Sequence, residues 1–265
     1  MVCEGSLLAC DYPQKDLYFW FGKKFNMQNQ MDWALRGRLA EVQDRIAKAA
    51  EKAARDPAAI TVVAITKTFP LDFARKAYAL GVRHFGENRV QEAIEKWQDK
   101  RPLGPDSTET LHLVGHLQRN KVRKAVQLFD RIDSIDSLEL AEAVSRISGE
   151  LGRTTDILIE VNTSGEQQKY GVHPANTAEL AFEISKLPHL KLRGLMTVGP
   201  LTNDISEIVE AYRLLKSLLD NLYSKDLVSG TVLSMGMSGD FEIAIAEGAT
   251  EIRLGTVLFG TRSEA

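Results

Sequence analysis

From residue 32 to 54 the apolar positions Leu35, Leu39, Val42, Ile46, Ala49 and Ala50 recur at helical spacing with charges between them. That period predicts an amphipathic helix, which Asp56-Pro57 should end. The pattern then changes. Short apolar, β-branched runs stand at 60–65, 82–85, 111–114, 131–135, 157–161, 190–198, 231–235 and 251–259. Helical patterns separate them near 71–80, 88–98, 118–127, 137–150, 175–187, 204–223 and 240–247.

Several of the strand runs are continuously apolar, as strands covered on both faces should be. Eight such runs alternating with helices predict an α/β fold, a single closed (β/α)₈ TIM barrel with an extra N-terminal helix. The chain of 265 residues suits that size. An open doubly wound sheet is the competing architecture. It would carry a glycine-rich fingerprint after the first strand, and Thr66-Lys67-Thr68-Phe69-Pro70 has none. Residues 31–265 therefore read as one barrel domain, and residues 1–30, aromatic and polar without a period, as an extension outside the core. Met31 is a natural start.

Composition narrows the function classes. A net charge of −3 with interspersed signs leaves no footprint for nucleic acid or an anionic membrane. No apolar run approaches the ~20 residues of a membrane span. The string Leu7-Leu8-Ala9-Cys10 lies between Glu4 and Asp11, which does not fit a secretory signal, so a cytoplasmic location is expected. Both cysteines, Cys3 and Cys10, fall in the leader, so a disulfide framework, a cysteine metal site and a core cysteine nucleophile are not expected.

Two regions carry candidate chemistry. The first strand run ends in Lys67. A lysine there either marks the exit of the chain into water or stands at the active-site mouth. At the mouth, partial desolvation would disfavour its charge and free the amine to attack an aldehyde, the chemistry of a Schiff base. At the other end of the chain, Ser234-Met235-Gly236-Met237-Ser238-Gly239-Asp240 follows the seventh run and Arg253-Leu254-Gly255-Thr256 opens the eighth. Loops after these strands commonly hold phosphate in such barrels. Ser238 reads as a ligand contact near a helix start or as a plain N-cap, and Gly255-Thr256 as a phosphate contact or a bend in a strand. Asp240 and Glu242 would repel phosphate unless they point away. Arg253, inside an apolar strand, needs a partner.

Other signals are weaker. His112 and His116 straddle a strand end and do not share a helix face, and no third metal ligand is evident, so no metal site is expected. Gly236-Met237-Ser238 begins like a nucleophile elbow, but Asp240 stands where glycine is required. Gly86-Glu87-Asn88 reads as a turn, with Asn88 a plausible polar contact. Lys169-Tyr170-Gly171 reads as a polar loop or an anion contact.

The segments Val63-Ala64-Ile65-Thr66-Lys67-Thr68, His84-Phe85-Gly86-Glu87-Asn88-Arg89-Val90-Gln91-Glu92 and His112-Leu113-Val114-Gly115-His116-Leu117-Gln118-Arg119-Asn120-Lys121 resemble the YggS/PROSC family of pyridoxal 5′-phosphate (PLP) homeostasis proteins. So do Gly194-Leu195-Met196-Thr197, the 233–240 segment, Ile252-Arg253-Leu254-Gly255-Thr256 and Phe259-Gly260-Thr261-Arg262. The likeness runs from about residue 32 to 262. Thr66 and Phe69 depart from it, where serine and a second lysine are more usual. The resemblance implies the fold-type III PLP scaffold, like the N-terminal domain of alanine racemase, with PLP as cofactor in an internal aldimine on Lys67. It also implies Arg253 facing the pyridine nitrogen and Ser238, Gly255 and Thr256 holding the phosphate. Asn88, Met196 and the Met235-Gly236 turn would line the site. An arginine partner makes the ring a poor electron sink, and the chain ends soon after Arg262 without the β-domain that supplies a racemase with a second base. The expectation is therefore a monomeric PLP carrier in vitamin B6 homeostasis, with no catalytic residues and with PLP-dependent apo-enzymes as candidate partners. A weak amino-acid racemase is the alternative, and a lyase or aldolase using Lys67 is the third reading.

Overall fold

The computed structural model describes residues 14–104 and 108–260, with side chains described from residue 33 onward. In chain order the elements are α1 (Gln14–Lys52), β1 (Thr61–Ile65), α2 (Leu71–Ala79), β2 (His84–Glu87), α3 (Val90–Trp97) and β3 (Thr110–Leu113). There follow α4 (Val122–Leu128), β4 (Arg131–Ile135), α5 (Leu138–Glu150), β5 (Thr155–Glu160), α6 (Thr177–Ser185) and β6 (Leu190–Met196). The chain then forms α7 (Ile205–Ser224), β7 (Val232–Ser234), α8 (Phe241–Ala246), β8 (Glu251–Leu254) and α9 (Thr256–Phe259). All the strand pairs are parallel, and β8 returns to pair with β1, with Val63 beside Arg253. The sheet is a closed barrel in sequential order, as the alternation of runs predicts.

Two boundaries differ from expectation. The first helix begins at Gln14 rather than at residue 32, so most of the expected extension continues the helix. Cys3, Cys10 and the rest of residues 1–13 lie outside the described residues. The eighth strand stops at Leu254, and Thr256–Phe259 is a helical turn. Its apolar residues look like strand in sequence, but a run this short carries no period that separates the two.

Strand alternation divides the side chains between two layers. Leu111 and Leu113, Ile132, and Ile252 and Leu254 join the apolar core between barrel and helices. Helix α1 adds Leu35, Leu39, Val42, Ile46 and Ala50 to the same core. Arg45 of α1 reaches Glu242 at 2.6 Å, and Arg55 donates to the carbonyls of Ile245 and Ala249, which fixes this helix across α8.

The alternate positions face the barrel interior, and near its N-terminal end they are ionic. Arg131 donates to both oxygens of Asp133, at 2.6 and 2.8 Å, and to Glu251 at 2.7 Å. The His84 Nδ1 and His112 Nε2 atoms lie 3.0 Å apart, and His112 Nδ1 is 3.4 Å from Asp133. Burial opposes ionisation of Asp133, but the Arg131 guanidinium outweighs it and holds the carboxyl well below the usual range. Burial, with the nearby His112, pushes His84 down to about 4. His112 thus has acidic neighbours that the sequence did not reveal. Its ligating atoms lie within 4.8 Å of those of Asp133 and Glu251, and Arg131 supplies the cation between the two carboxylates. Among the described residues no helix is long and apolar enough to cross a membrane.

Candidate functional site at the C-terminal rim

Because every strand runs the same way, every loop that follows a strand opens on one rim. Lys67 after β1, Asn88 after β2, the 235–238 loop after β7 and Gly255-Thr256 after β8 all stand there. Strands β1 and β8 are neighbours. A side chain on Gly255 would begin 3.5 Å from the Ile65 Cβ, which places this backbone beside the strand end that leads to Lys67. The two regions picked out at opposite ends of the sequence are adjacent in space.

Lys67 is exposed, so the partial desolvation expected of it is not seen. Its turn has a distinctive backbone. The Phe69 amide donates to the Thr66 carbonyl at 3.0 Å, and Thr68, between them, has φ +69. A β-branched residue in the left-handed region costs about 1–2 kcal/mol.

The adjoining wall is built from β7 and β8. Arg253 is 5% exposed. It donates from Nη1 to the Ser234 hydroxyl at 2.8 Å and from Nη2 to the Thr197 carbonyl at 2.6 Å. The Thr197 hydroxyl in turn donates to the Val161 carbonyl at 2.7 Å. These bonds settle how a buried arginine is tolerated in this strand, since its charge is solvated by fixed dipoles.

Ser238 is not a helix cap. The N-cap of α8 is Asp240, and the Ser238 hydroxyl instead accepts from the Val257 amide at 3.4 Å, which ties the β7 and β8 loops together. The acidic residues beside it are turned away from this cradle. Asp240 accepts from the Tyr212 hydroxyl at 2.7 Å and from the Met237 amide at 2.6 Å, and Glu242 is held by Arg45. Burial, with Asp240 adjacent, raises the Tyr212 hydroxyl well above its ordinary value, so Tyr212 stays a donor. Gly236 has φ +93, and a Cβ there would stand 2.5 Å from the Ala244 Cβ. The loop therefore folds closely onto α8 only with glycine.

The remaining expected residues divide. Asn88 is partly buried, with its backbone against Gly115. Thr256 is exposed and Gly255 partly so. Met196 is fully buried at the end of β6, in register with Glu160 and Ser234. Met235 is fully buried within the apolar core, so only its backbone can face a ligand. His116, expected to have no metal role with His112, stacks on Tyr170 at the rim with centroids 3.9 Å apart.

Glu160, at the end of β5, was not foreseen. It is 7% exposed, and burial with the negative Asp136 nearby pushes it up to about 7, against the pull of Arg253. A carboxylate closing the apolar run Ile157-Leu158-Ile159 was the available sign.

The residues present fit a phosphorylated aldehyde. A primary amine, a glycine-serine backbone loop and a fixed guanidinium offer nucleophile, phosphate contacts and hydrogen-bond donor around one opening. Together with the closed parallel barrel they define a class, for which the alanine racemase N-terminal domain is the type: that family's sequence profile matches residues 38–263. The pyridoxal phosphate homeostasis protein of Aquifex aeolicus (strain VF5) is 39% identical over 225 residues, 85% of this chain and 97% of the relative. The human protein of the same name is 37% identical over 234 residues, 84% of this chain and 85% of its own. PipY of Synechococcus elongatus PCC7942, solved with PLP bound, superposes with a TM-score of 0.74 at 39% identity, over 85% of this chain and all of that one. The chain belongs to the pyridoxal phosphate homeostasis family within this class. Alanine racemase of Clostridium difficile 630, at 18% identity, TM-score 0.65 and coverage of 86% of this chain and 56% of its own, shares the fold.

Proposed function

We propose that this chain binds PLP at the C-terminal rim and carries it covalently on Lys67 as part of cytoplasmic vitamin B6 homeostasis. When bound, PLP supplies an aldehyde and a phosphate. Lys67 would hold it through Nζ, the amine placed to condense with that aldehyde with loss of water. Ser238 and the backbone at Gly255 and Thr256 hold the phosphate, with Asn88, Met196 and the Met235-Gly236 turn around the ring. Arg253 donates to the pyridine nitrogen but keeps its own proton, since a guanidinium is charged at any accessible pH. A carbanion on a bound amino acid is then poorly stabilised, which favours a carrier over a racemase. The observation that carries this reading is the adjacency of Gly255 to Ile65, two residues before Lys67. The names of the relatives and the PLP in PipY support it.

The carrier is proposed to act as a monomer that delivers PLP to apo-enzymes. Titration of the purified chain with PLP is expected to raise a visible absorption band that Lys67→Ala lacks; a band unchanged in the variant would refute the assignment. Chiral assay of alanine and serine separates carrier from racemase, with turnover at ordinary enzymatic rates contradicting the carrier.

A further inference from the structure

Lys67 and Thr68 form the exposed tip of a four-residue turn whose two ends, Thr66 and Phe69, are buried. A turn with a positive φ at its third residue ordinarily takes glycine or asparagine there, and this one takes threonine. Such a conformation persists only where its surroundings impose it.

The surroundings are unequal in kind. On the Phe69 side the hold is apolar: its ring lies 5.1 Å from Phe73 and 5.2 Å from Phe259 of α9. On the Thr66 side it is a buried polar clamp. Lys96 Nζ donates to the Thr66 carbonyl at 2.5 Å and to Glu87 Oε1 at 2.7 Å. The same carboxylate oxygen accepts from the Thr66 hydroxyl at 2.7 Å and from Trp97 Nε1 at 2.9 Å. Thr66, Glu87 and Trp97 are fully buried, and the Lys96 side chain is 11% exposed. The Thr66 carbonyl that Lys96 grips is the one that closes the turn through the Phe69 amide.

We infer that Lys96 and Glu87 are positioning residues: through Thr66 they impose the strained turn that presents the Lys67 amine at the rim. The inference rests on Lys67 being the amine that captures PLP, and it adds why that amine is held ready before the ligand arrives. Neither residue touches the ligand in this account. Glycine at position 68 would adopt the left-handed conformation without help, so it would make the clamp dispensable.

The test compares wild type, Lys96→Met, Thr66→Val, Thr68→Gly and the double variant Lys96→Met/Thr68→Gly, all as the full chain. Without ligand, hydrogen exchange at the Phe69 amide is expected to quicken at least tenfold in Lys96→Met and in Thr66→Val. On mixing with PLP, the rate at which the visible band appears is expected to fall about tenfold in each. Thr68→Gly stays within threefold of wild type, and the double variant recovers most of the loss. Thr66→Val replaces one hydroxyl with a methyl and keeps the test open if Lys96→Met does not fold. Wild-type exchange and capture in the clamp variants, or no recovery in the double variant, would overturn the inference. Lys67→Ala separates the two levels: a band that survives this change refutes the underlying reading, whereas a Lys67-dependent band with unaltered clamp variants refutes only the positioning role.

Discussion

The Ser238 hydroxyl oxygen lies 3.4 Å from the Val257 amide nitrogen, which links the loop after β7 to the helical turn after β8. The bond is long and its donor belongs to a backbone that a phosphate could also use. Ser238→Ala is therefore expected to leave thermal stability within about 1 kcal/mol of wild type. The loss of one charge-assisted contact to phosphate weakens PLP binding by roughly ten- to a hundredfold. Calorimetric titration of both proteins checks this, and equal affinities would remove Ser238 from the cradle.

Gly236 tests the backbone beneath that loop. Alanine there meets both a φ of +93 and a Cβ 3.1 Å from the Phe241 Cα, which is backbone and cannot swing aside. Gly236→Ala is expected to lower the unfolding free energy by about 2–4 kcal/mol in urea titrations.

Glu160 and His84 give opposite pH slopes in the ligand-free protein. Burial raises Glu160 from its ordinary value of 4.5 to about 7, so between these values the folded state holds a proton the unfolded state has lost. Its stabilising effect is complete below pH 4.5 and is lost as pH rises through 7, about 3 kcal/mol at most. Glu160→Gln should therefore gain stability relative to wild type as pH climbs from 5 to 8. Denaturant melts along that range decide it, and a constant difference would mean that Glu160 titrates normally.

His84 is lowered from 6.5 to about 4, so its contribution is full above pH 6.5 and is lost as pH falls through 4. His84 is only partly buried, so solvent screening cuts the loss from this source to roughly 1–2 kcal/mol on acidification. His84→Gln should flatten that limb, and an unchanged acid limb would contradict the burial of His84 beside His112.

The barrel was legible because its strands announce themselves. The run at 131–135 coincides with β4, and the eight alternations predicted both the closure and the rim that gathers Lys67, Ser238 and Arg253. Long-range polar pairing was not legible. Arg131 meets Glu251 across 120 positions, and nothing in either segment names its partner. The clamp on Thr66 is hidden for the same reason: Lys96 reads as one more charge on the face of α3. Ser238 read as a ligand contact or as a cap, and the cap reading falls because α8 starts only at Phe241 with Asp240 as its N-cap. Met235 drew notice for its place in a motif, but strand alternation sends its side chain into the core.

The central claim is that Lys67 is the residue that holds PLP covalently. The full chain, loaded with PLP, treated with borohydride to reduce the C=N bond and digested for mass mapping, tests it in one experiment. The account predicts a single phosphopyridoxyl adduct on the peptide containing Lys67, and none on that peptide without PLP. An adduct confined to any other lysine, or none anywhere on protein that has bound PLP, would contradict it.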